Sequence, residues 1–194
     1  NTSNIQGTEN ALRILEIANK EGIPVHTGAS KPLMTQYLGK GEIVHGIDGQ
    51  GNSNLIKPKI KEGEISAINF MKNKIDEFPG EITLVPIGPL TNIAQLLTEY
   101  PGIDKKIKEI VLMGGNALSQ GNASPAAEAN IKNDPEAANH VFRSNTKITM
   151  VGLDVTNQVF MDELTIKEIS NHGSDQTNHL KVILPHYVDF LSRF

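Results

Sequence analysis

Residues 81–113 read EITLVPIGPLTNIAQLLTEYPGIDKKIKEIVLM, and this stretch decides the fold. Glu81 to Ile87 is rich in aliphatic and β-branched residues and predicts a strand. Thr91 to Tyr100 carries Ile93, Leu96 and Leu97 at helical spacing. Lys108 to Met113 predicts a second strand, with Ile110-Val111-Leu112-Met113 apolar on both faces. A helix between two strands is a crossover, and a crossover joins parallel neighbours. Ligands of such sheets sit beyond the carboxyl ends of the strands. Functional interest therefore falls on Gly88-Pro89-Leu90-Thr91-Asn92 after the first strand and on Gly114-Gly115-Asn116 after the second.

The same alternation extends in both directions. Gly114 to Asn133 reads as a long loop. Asp134-Pro135-Glu136 then starts a helix, with a capping carboxylate, a proline at the first helical position and an acid in the positive first turn. Ile148 to Leu153 predicts a third strand, with Asp154 and Asn157 at its carboxyl end. Asp162 to Asn171 predicts a helix, and Asn178 to Phe194 is an amphipathic tail that Pro185 is expected to kink. Towards the amino terminus, Ile65, Ile68, Met71, Ile75 and Phe78 mark a helix that Pro79-Gly80 ends. Gly28 to Pro58 reads as a long, mostly irregular connection, of the kind that often carries function. Before it come a short extended run, Ile23-Pro24-Val25-His26, and a helix bearing Ala11, Leu12, Leu15 and Ala18, with Gly22 at its stop. Ser3-Asn4-Ile5-Gln6 fits a capping box at that helix's start. The pattern predicts one α/β domain over residues 1–194, with a mainly parallel central sheet and helices on both faces.

Composition narrows the function. The 194 residues are 38% hydrophobic and 21% charged, enough for a buried core. A formal charge of −4 argues against a surface that neutralises a nucleic-acid backbone. The absence of cysteine removes a disulfide framework, a thiolate zinc site and a cysteine nucleophile, and accords with a cytoplasmic setting. The sequence holds no apolar run of membrane-spanning length, so no membrane partner is expected.

The loop Gly121-Asn122-Ala123-Ser124-Pro125-Ala126-Ala127-Glu128-Ala129-Asn130 is the most informative stretch. It brings two amides and a carboxylate close together among small residues, a kit suited to a ligand with several hydroxyls, such as a sugar. By composition alone it reads first as a surface loop that closes on itself through side-chain to backbone bonds, and only second as such a site. Thr91 reads first as a helix cap, and secondly as part of a turn whose carbonyls could meet a hard cation. His45-Gly46-Ile47-Asp48-Gly49-Gln50-Gly51 is glycine-rich but lacks the Gly-Lys-Ser/Thr ending of a phosphate loop. There Asp48 is placed to tune His45. His172, His179 and His186 fall seven apart and read as packing or solvated residues rather than a metal site.

Together these segments resemble the inosine-uridine preferring nucleoside hydrolase family. Asn1-Thr2-Ser3 is similar to the end of that family's Gly-Asn-Thr segment. Asn10-Ala11-Leu12, Ile23-Pro24-Val25, Gly28-Ala29-Ser30-Lys31-Pro32-Leu33 and His45-Gly46-Ile47-Asp48-Gly49 follow in family order. Then come Ile87-Gly88-Pro89-Leu90-Thr91-Asn92, Val111-Leu112-Met113-Gly114-Gly115, and Gly121-Asn122 through Asn130 into Asp134-Pro135-Glu136-Ala137-Ala138. The resemblance runs from the first residue to about Val159. It implies hydrolysis of the N-glycosidic bond of ribonucleosides, as in nucleoside salvage. A calcium ion would sit on the ribose hydroxyls and a water, an aspartate would deprotonate that water, and the transition state would resemble an oxocarbenium ion. It further implies that Asn122, Glu128, Asn130 and Asn1 contact ribose, that Met113 lies along the sugar pocket, that the Thr91 carbonyl is a metal ligand, and that His45 sits near the base as a possible catalytic group. Relatives assemble as dimers or tetramers, so a homo-oligomer is expected.

The family's aspartate-rich start, Asp-Thr-Asp-x-Gly-x-Asp-Asp, and its C-terminal His-Asp pair do not occur in these residues. The expectation is an internal part of a larger nucleoside hydrolase-like domain, incomplete at both ends and inactive as written. The alternatives are a non-catalytic ribose- or nucleoside-binding or vestigial protein, and an unrelated α/β domain whose loops are purely structural.

Overall fold

The computed structural model describes residues 2–34, 41–53 and 55–192. In chain order its elements are α1 (Asn4–Ile17), α2 (Gly41–His45), α3 (Ala67–Glu77), β1 (Thr83–Leu84), α4 (Thr91–Glu99), a 3-10 turn (Ile103–Lys106), β2 (Glu109–Met113), α5 (Ala129–Asn133), α6 (Pro135–Phe142), β3 (Ile148–Val151), α7 (Leu153–Thr156), α8 (Glu163–Asn171) and α9 (Asp175–Leu191). They fall into two compact units. One comprises Gly28–Tyr37 and Ile65–Phe160, and the other Asn1–Thr27, Leu38–Glu64 and Met161–Phe194.

The first of these units holds the sheet, in the order β1-β2-β3, and both pairings are parallel. Ile110 of β2 lies opposite Leu84 on one side and Ile148 on the other. β1 is far shorter than residues 81–87 predict, and Pro86 explains why. It has no N–H to give to the ladder, although its carbonyl still accepts from the Met113 amide at 3.0 Å. β2 also differs from expectation: Ile110 and Leu112 are fully buried, whereas Val111 and Met113 on the opposite face are half-buried. Ile110 and Leu112 belong to the same core cluster as Ile68 and Ile75 of α3, Ile93, Ala94 and Leu96 of α4, and Ala137, Ala138 and Val141 of α6. Alanines at 94, 137 and 138 let α4 and α6 pack closely. Each fully buried Leu, Ile or Val in this cluster contributes roughly 1.5–3 kcal/mol.

Asp134 is the polar centre of this unit. Its Oδ1 accepts the Ala137 amide at 3.0 Å and so caps α6, as the sequence predicts. Its Oδ2 accepts the Thr91 hydroxyl at 2.6 Å and the Leu33 amide at 2.9 Å. The side chain is wholly buried.

The second unit joins α1, α2, α8 and α9. Ser3 caps α1 through a 3.2 Å bond from the Gln6 amide, but the Gln6 side chain donates to Asn10 Oδ1 instead of returning to Ser3, so half of the predicted box forms. The centre of this unit is also polar. Buried Arg13 donates to Asn10 Oδ1 at 2.7 Å, to Gln50 Oε1 at 2.9 Å and to the Ile56 carbonyl at 2.7 Å. Residues 23–26 form no strand; the Gly63 amide donates to the Val25 carbonyl at 2.8 Å. α9 is helical on both sides of Pro185, whose missing N–H leaves the Lys181 carbonyl without its helical donor.

Replacing Asp134 with alanine removes three hydrogen bonds and leaves buried donors unpaired. A loss of about 3 kcal/mol is expected, read from the midpoint and slope of urea unfolding followed by circular dichroism.

Candidate functional site

The polar cluster lies where the carboxyl ends of the parallel strands open. Glu128 is the N-cap of α5 and is 2% exposed. Its Oε2 accepts three backbone amides: Gly115 and Asn130 at 2.9 Å and Ile131 at 3.1 Å. All three bonds fall on one oxygen, and among the described residues no hydrogen bond reaches Oε1. Asn130 stands beside it. Its Nδ2 donates to the Met113 carbonyl at 3.0 Å and approaches the Met113 sulfur at 3.3 Å and the Ile87 carbonyl at 3.4 Å. Ile87 follows β1 and Met113 ends β2, so one amide bridges the ends of two neighbouring strands.

Asn122 is exposed, and its Oδ1 accepts the Ala129 amide at 2.9 Å. The intervening loop does close on itself: Gly121 N–H donates to the Pro125 carbonyl and Ala123 N–H to the Ala127 carbonyl. A Cβ at Gly121 would stand 2.4 Å from backbone atoms of both Ser124 and Ala127, so no larger residue fits this turn. The two readings of the loop are thus compatible, because its self-closure is what delivers Glu128 and Asn130 to the strand ends.

Thr91 occupies a different place. It is the first residue of α4, and its hydroxyl goes to Asp134. Helix geometry directs its carbonyl along the axis towards the amide of Gln95. The structure therefore joins Met113, Glu128 and Asn130 directly and Asn122 through Ala129, while Thr91 is tied to Asp134. Asn1 lies outside the described residues.

His45 belongs to the other unit. Its ring stacks on Tyr187, with centroids 5.8 Å apart and planes at 7°. Both rings line an open cavity of about 220 Å³ with Val44, Gln50, Ile183 and His186. Burial, with His186 nearby, pushes the His45 pKa below its ordinary value of 6.5, so the ring is uncharged at neutral pH. Asp48 spends its Oδ1 on the Gln50 and Asn52 amides at 2.8 Å and shapes the glycine-rich loop. Gly51 in that loop has φ of 73° and leaves 2.9 Å between an added Cβ and the Cβ of His186. His179 stands 3.4 Å from the Gln50 amide, and His186 buries its Nε2 without a hydrogen-bond partner among the described residues.

Asp154 is a further carboxylate near the strand ends. It accepts the Ala117 amide at 2.7 Å and the Leu118 and Ser119 amides at 2.8 Å.

The model of the inosine-uridine preferring nucleoside hydrolase family matches residues 1–193. The chain belongs to that family. It is 42% identical over 171 residues to uridine nucleosidase 1 of Arabidopsis thaliana, covering 88% of this chain and 51% of that protein. It is 50% identical over 155 residues to the pyrimidine-specific ribonucleoside hydrolase RihA of Shewanella baltica, covering 79% and 48%. A solved plant nucleoside hydrolase, the PpNRh1 enzyme, superposes with a TM-score of 0.93 at 35% identity over 98% of this chain and 60% of that one. The chain thus spans about half the length of the curated relatives it matches.

The calcium implied for a nucleoside hydrolase needs six to eight oxygens. Among the described residues no group of three or more His, Asp or Glu side chains is arranged to hold a metal. Glu128 Oε2 and both Asp134 oxygens are already spent on backbone and hydroxyl donors. The described residues do not, by themselves, make a calcium site.

The three amides, those of Ala117 and Leu118 foremost, lower the Asp154 pKa from 3.8 to about 2. A depressed carboxylate pKa contributes stability that is complete above the unfolded value and is lost as pH falls through the folded one. The hydrogen bonds to 117–119 should therefore persist from neutral pH to well below 3.8. A carbon-13 carboxyl titration is expected to give Asp154 a midpoint near 2; a midpoint at the ordinary value would show that the amides do not hold it.

Proposed function

We propose that the protein is a nucleoside N-ribohydrolase and that residues 113–130 carry its ribose site. The observation behind this reading is the divided Glu128 carboxylate: three amides fix Oε2, and among the described residues no hydrogen bond reaches Oε1, which leaves that oxygen for a ligand. Three bonds on one oxygen hold the group in one orientation, which is what selective recognition of a sugar hydroxyl requires. Its negative charge also suits a site where positive charge develops on the sugar ring as the base departs. Water adds to the anomeric carbon, the carbon–nitrogen bond breaks, and the base leaves with a proton. Asn122 Nδ2 donates to ribose where Glu128 accepts, Asn130 orders the wall formed by Met113, and Asn1 remains a candidate contact.

His45 is proposed to lie beside the base. An uncharged imidazole stacked on Tyr187, in a partly apolar cavity, offers a flat aromatic surface and a polar edge to a heterocycle. For any metal at the strand ends, the Ile87 carbonyl is better oriented than that of Thr91, because it belongs to no helix and faces Asn130. Calcium is the ion the family implies. The single-domain reading also stands as a proposal, supported by a family match that runs across both compact units. Cytoplasmic nucleoside salvage accords with the lack of cysteine. The relatives named above act, by their names, on uridine and pyrimidine ribonucleosides, which makes uridine the first substrate to test.

Glu128→Gln keeps the shape of the side chain and removes its charge. In protein expressed from the complete reading frame, kcat/KM for uridine should fall about 100-fold while the thermal midpoint shifts by only a few degrees; unchanged turnover would sink the ribose reading. The 194-residue chain alone should release no uracil from uridine, with or without added calcium, because the donor set among its described residues is incomplete. Calcium-dependent release by that chain would refute the argument from the donor set.

A further inference from the structure

We propose that Asp154 is a positioning residue for the ribose cluster: it pins the middle of the loop that runs from the end of β2 to Glu128. This inference rests on the ribose reading above. The start of the loop is tied to the β3–α7 junction by Gly114 N–H on the Val151 carbonyl at 3.2 Å and by Leu153 N–H on the Gly115 carbonyl at 2.9 Å. A Cβ at Gly152 would sit 2.8 Å from the Gly115 oxygen, so the two backbones are in close contact there. The far part of the loop closes on itself over Gly121 to Ala127. Between these anchors lie residues 116–120.

What holds that middle part is polar. Leu118, at its tip, is 97% exposed and gives it no apolar anchor. The Asn116 side chain donates to the Ser119 carbonyl at 2.8 Å and closes the turn. Successive amides at 117, 118 and 119 then converge on the one carboxylate of Asp154. Hydrogen bonds to a charged acceptor are about twice as strong as neutral ones, so this one side chain dominates the placement of the turn. Gly115, two residues before the first of these amides, donates to Glu128 Oε2 at 2.9 Å. Asn122 lies three residues beyond the last. Release of the turn would shift both neighbours and with them the direction of Glu128 Oε1. Asp154 touches no reacting atom in this scheme; it acts through the loop.

The test uses Asp154→Asn and Asp154→Ala in protein expressed from the complete reading frame. Asn sets a second donor against an amide that the carboxylate accepted, and Ala removes all three bonds. The readout is the ratio of kcat/KM for uridine to that for its 2′-, 3′- and 5′-deoxy analogues in turn, the largest change among the three being taken. This ratio is blind to the fraction of protein folded, so a merely structural role leaves it unmoved. It should fall about tenfold in both variants, as expected when a hydroxyl-binding group loses its orientation, and amide exchange at 117–119 should accelerate. Should D154N fail to fold, D154E, which keeps the charge but lengthens the arm, carries the same comparison. A ratio equal to that of the parent protein overturns the proposal. Glu128→Gln is measured alongside. If it lowers the ratio and the Asp154 variants do not, positioning has failed and the ribose reading stands. If it too leaves the ratio unchanged, the ribose reading itself has failed.

Discussion

A carboxylate with no cationic partner among the described residues organises the sheet-bearing unit. Asp134 is wholly buried, and its two oxygens are met by the Ala137 amide, the Thr91 hydroxyl and the Leu33 amide. Burying a charge is costly unless its hydrogen-bonding capacity is met. The three donors come from the start of α6, the start of α4 and the 28–34 segment. Each must therefore arrive at one point before the core can close. α4 follows β1 and α6 precedes β3, so this point fixes where both crossovers begin or end relative to the sheet. Asn92, next to Thr91, accepts the Ala29 amide at 2.8 Å and ties the same segment down a second time.

Glu128 and Asp154 repeat the device with different outcomes. All three carboxylates are held mainly by backbone amides rather than by lysine or arginine. Amides are fixed by the chain path and lose little freedom when they bind, whereas the exposed ion pairs of this protein, such as Lys72–Asp76 and Lys147–Glu109, are screened and contribute little. Asp134 spends both oxygens and is structural. Asp154 spends both and anchors a turn. Glu128 concentrates its bonds on one oxygen, and the proposed ribose site uses the other. The distribution of donors over the two oxygens, more than burial itself, distinguishes Glu128 from Asp134 and Asp154.

What the sequence by itself determined is the order of elements and part of the local caps: Asp134 caps α6 as read, whereas Leu90, not Thr91, stands at the cap of α4 and only half of the Ser3–Gln6 box forms. The alternation of strand and helix over residues 81–113, the Asp134 cap of α6 and the convergence of polar segments on strand ends were all legible, because each depends on residues a few positions apart. The family was legible too, through motifs kept in order along the chain. Tertiary structure decided the rest. Pro86 shortens β1 only because a neighbouring strand lies where an N–H would be needed and proline has none. Thr91 turns its hydroxyl to a carboxylate 43 positions away, and Leu33 its amide to the same group 101 positions away. Spacing cannot reveal which oxygen of Glu128 stays open, nor that the Ile87 carbonyl faces Asn130. Those facts follow from how helices and loops pack over the strand ends, and packing is a property of the whole unit rather than of any short stretch within it.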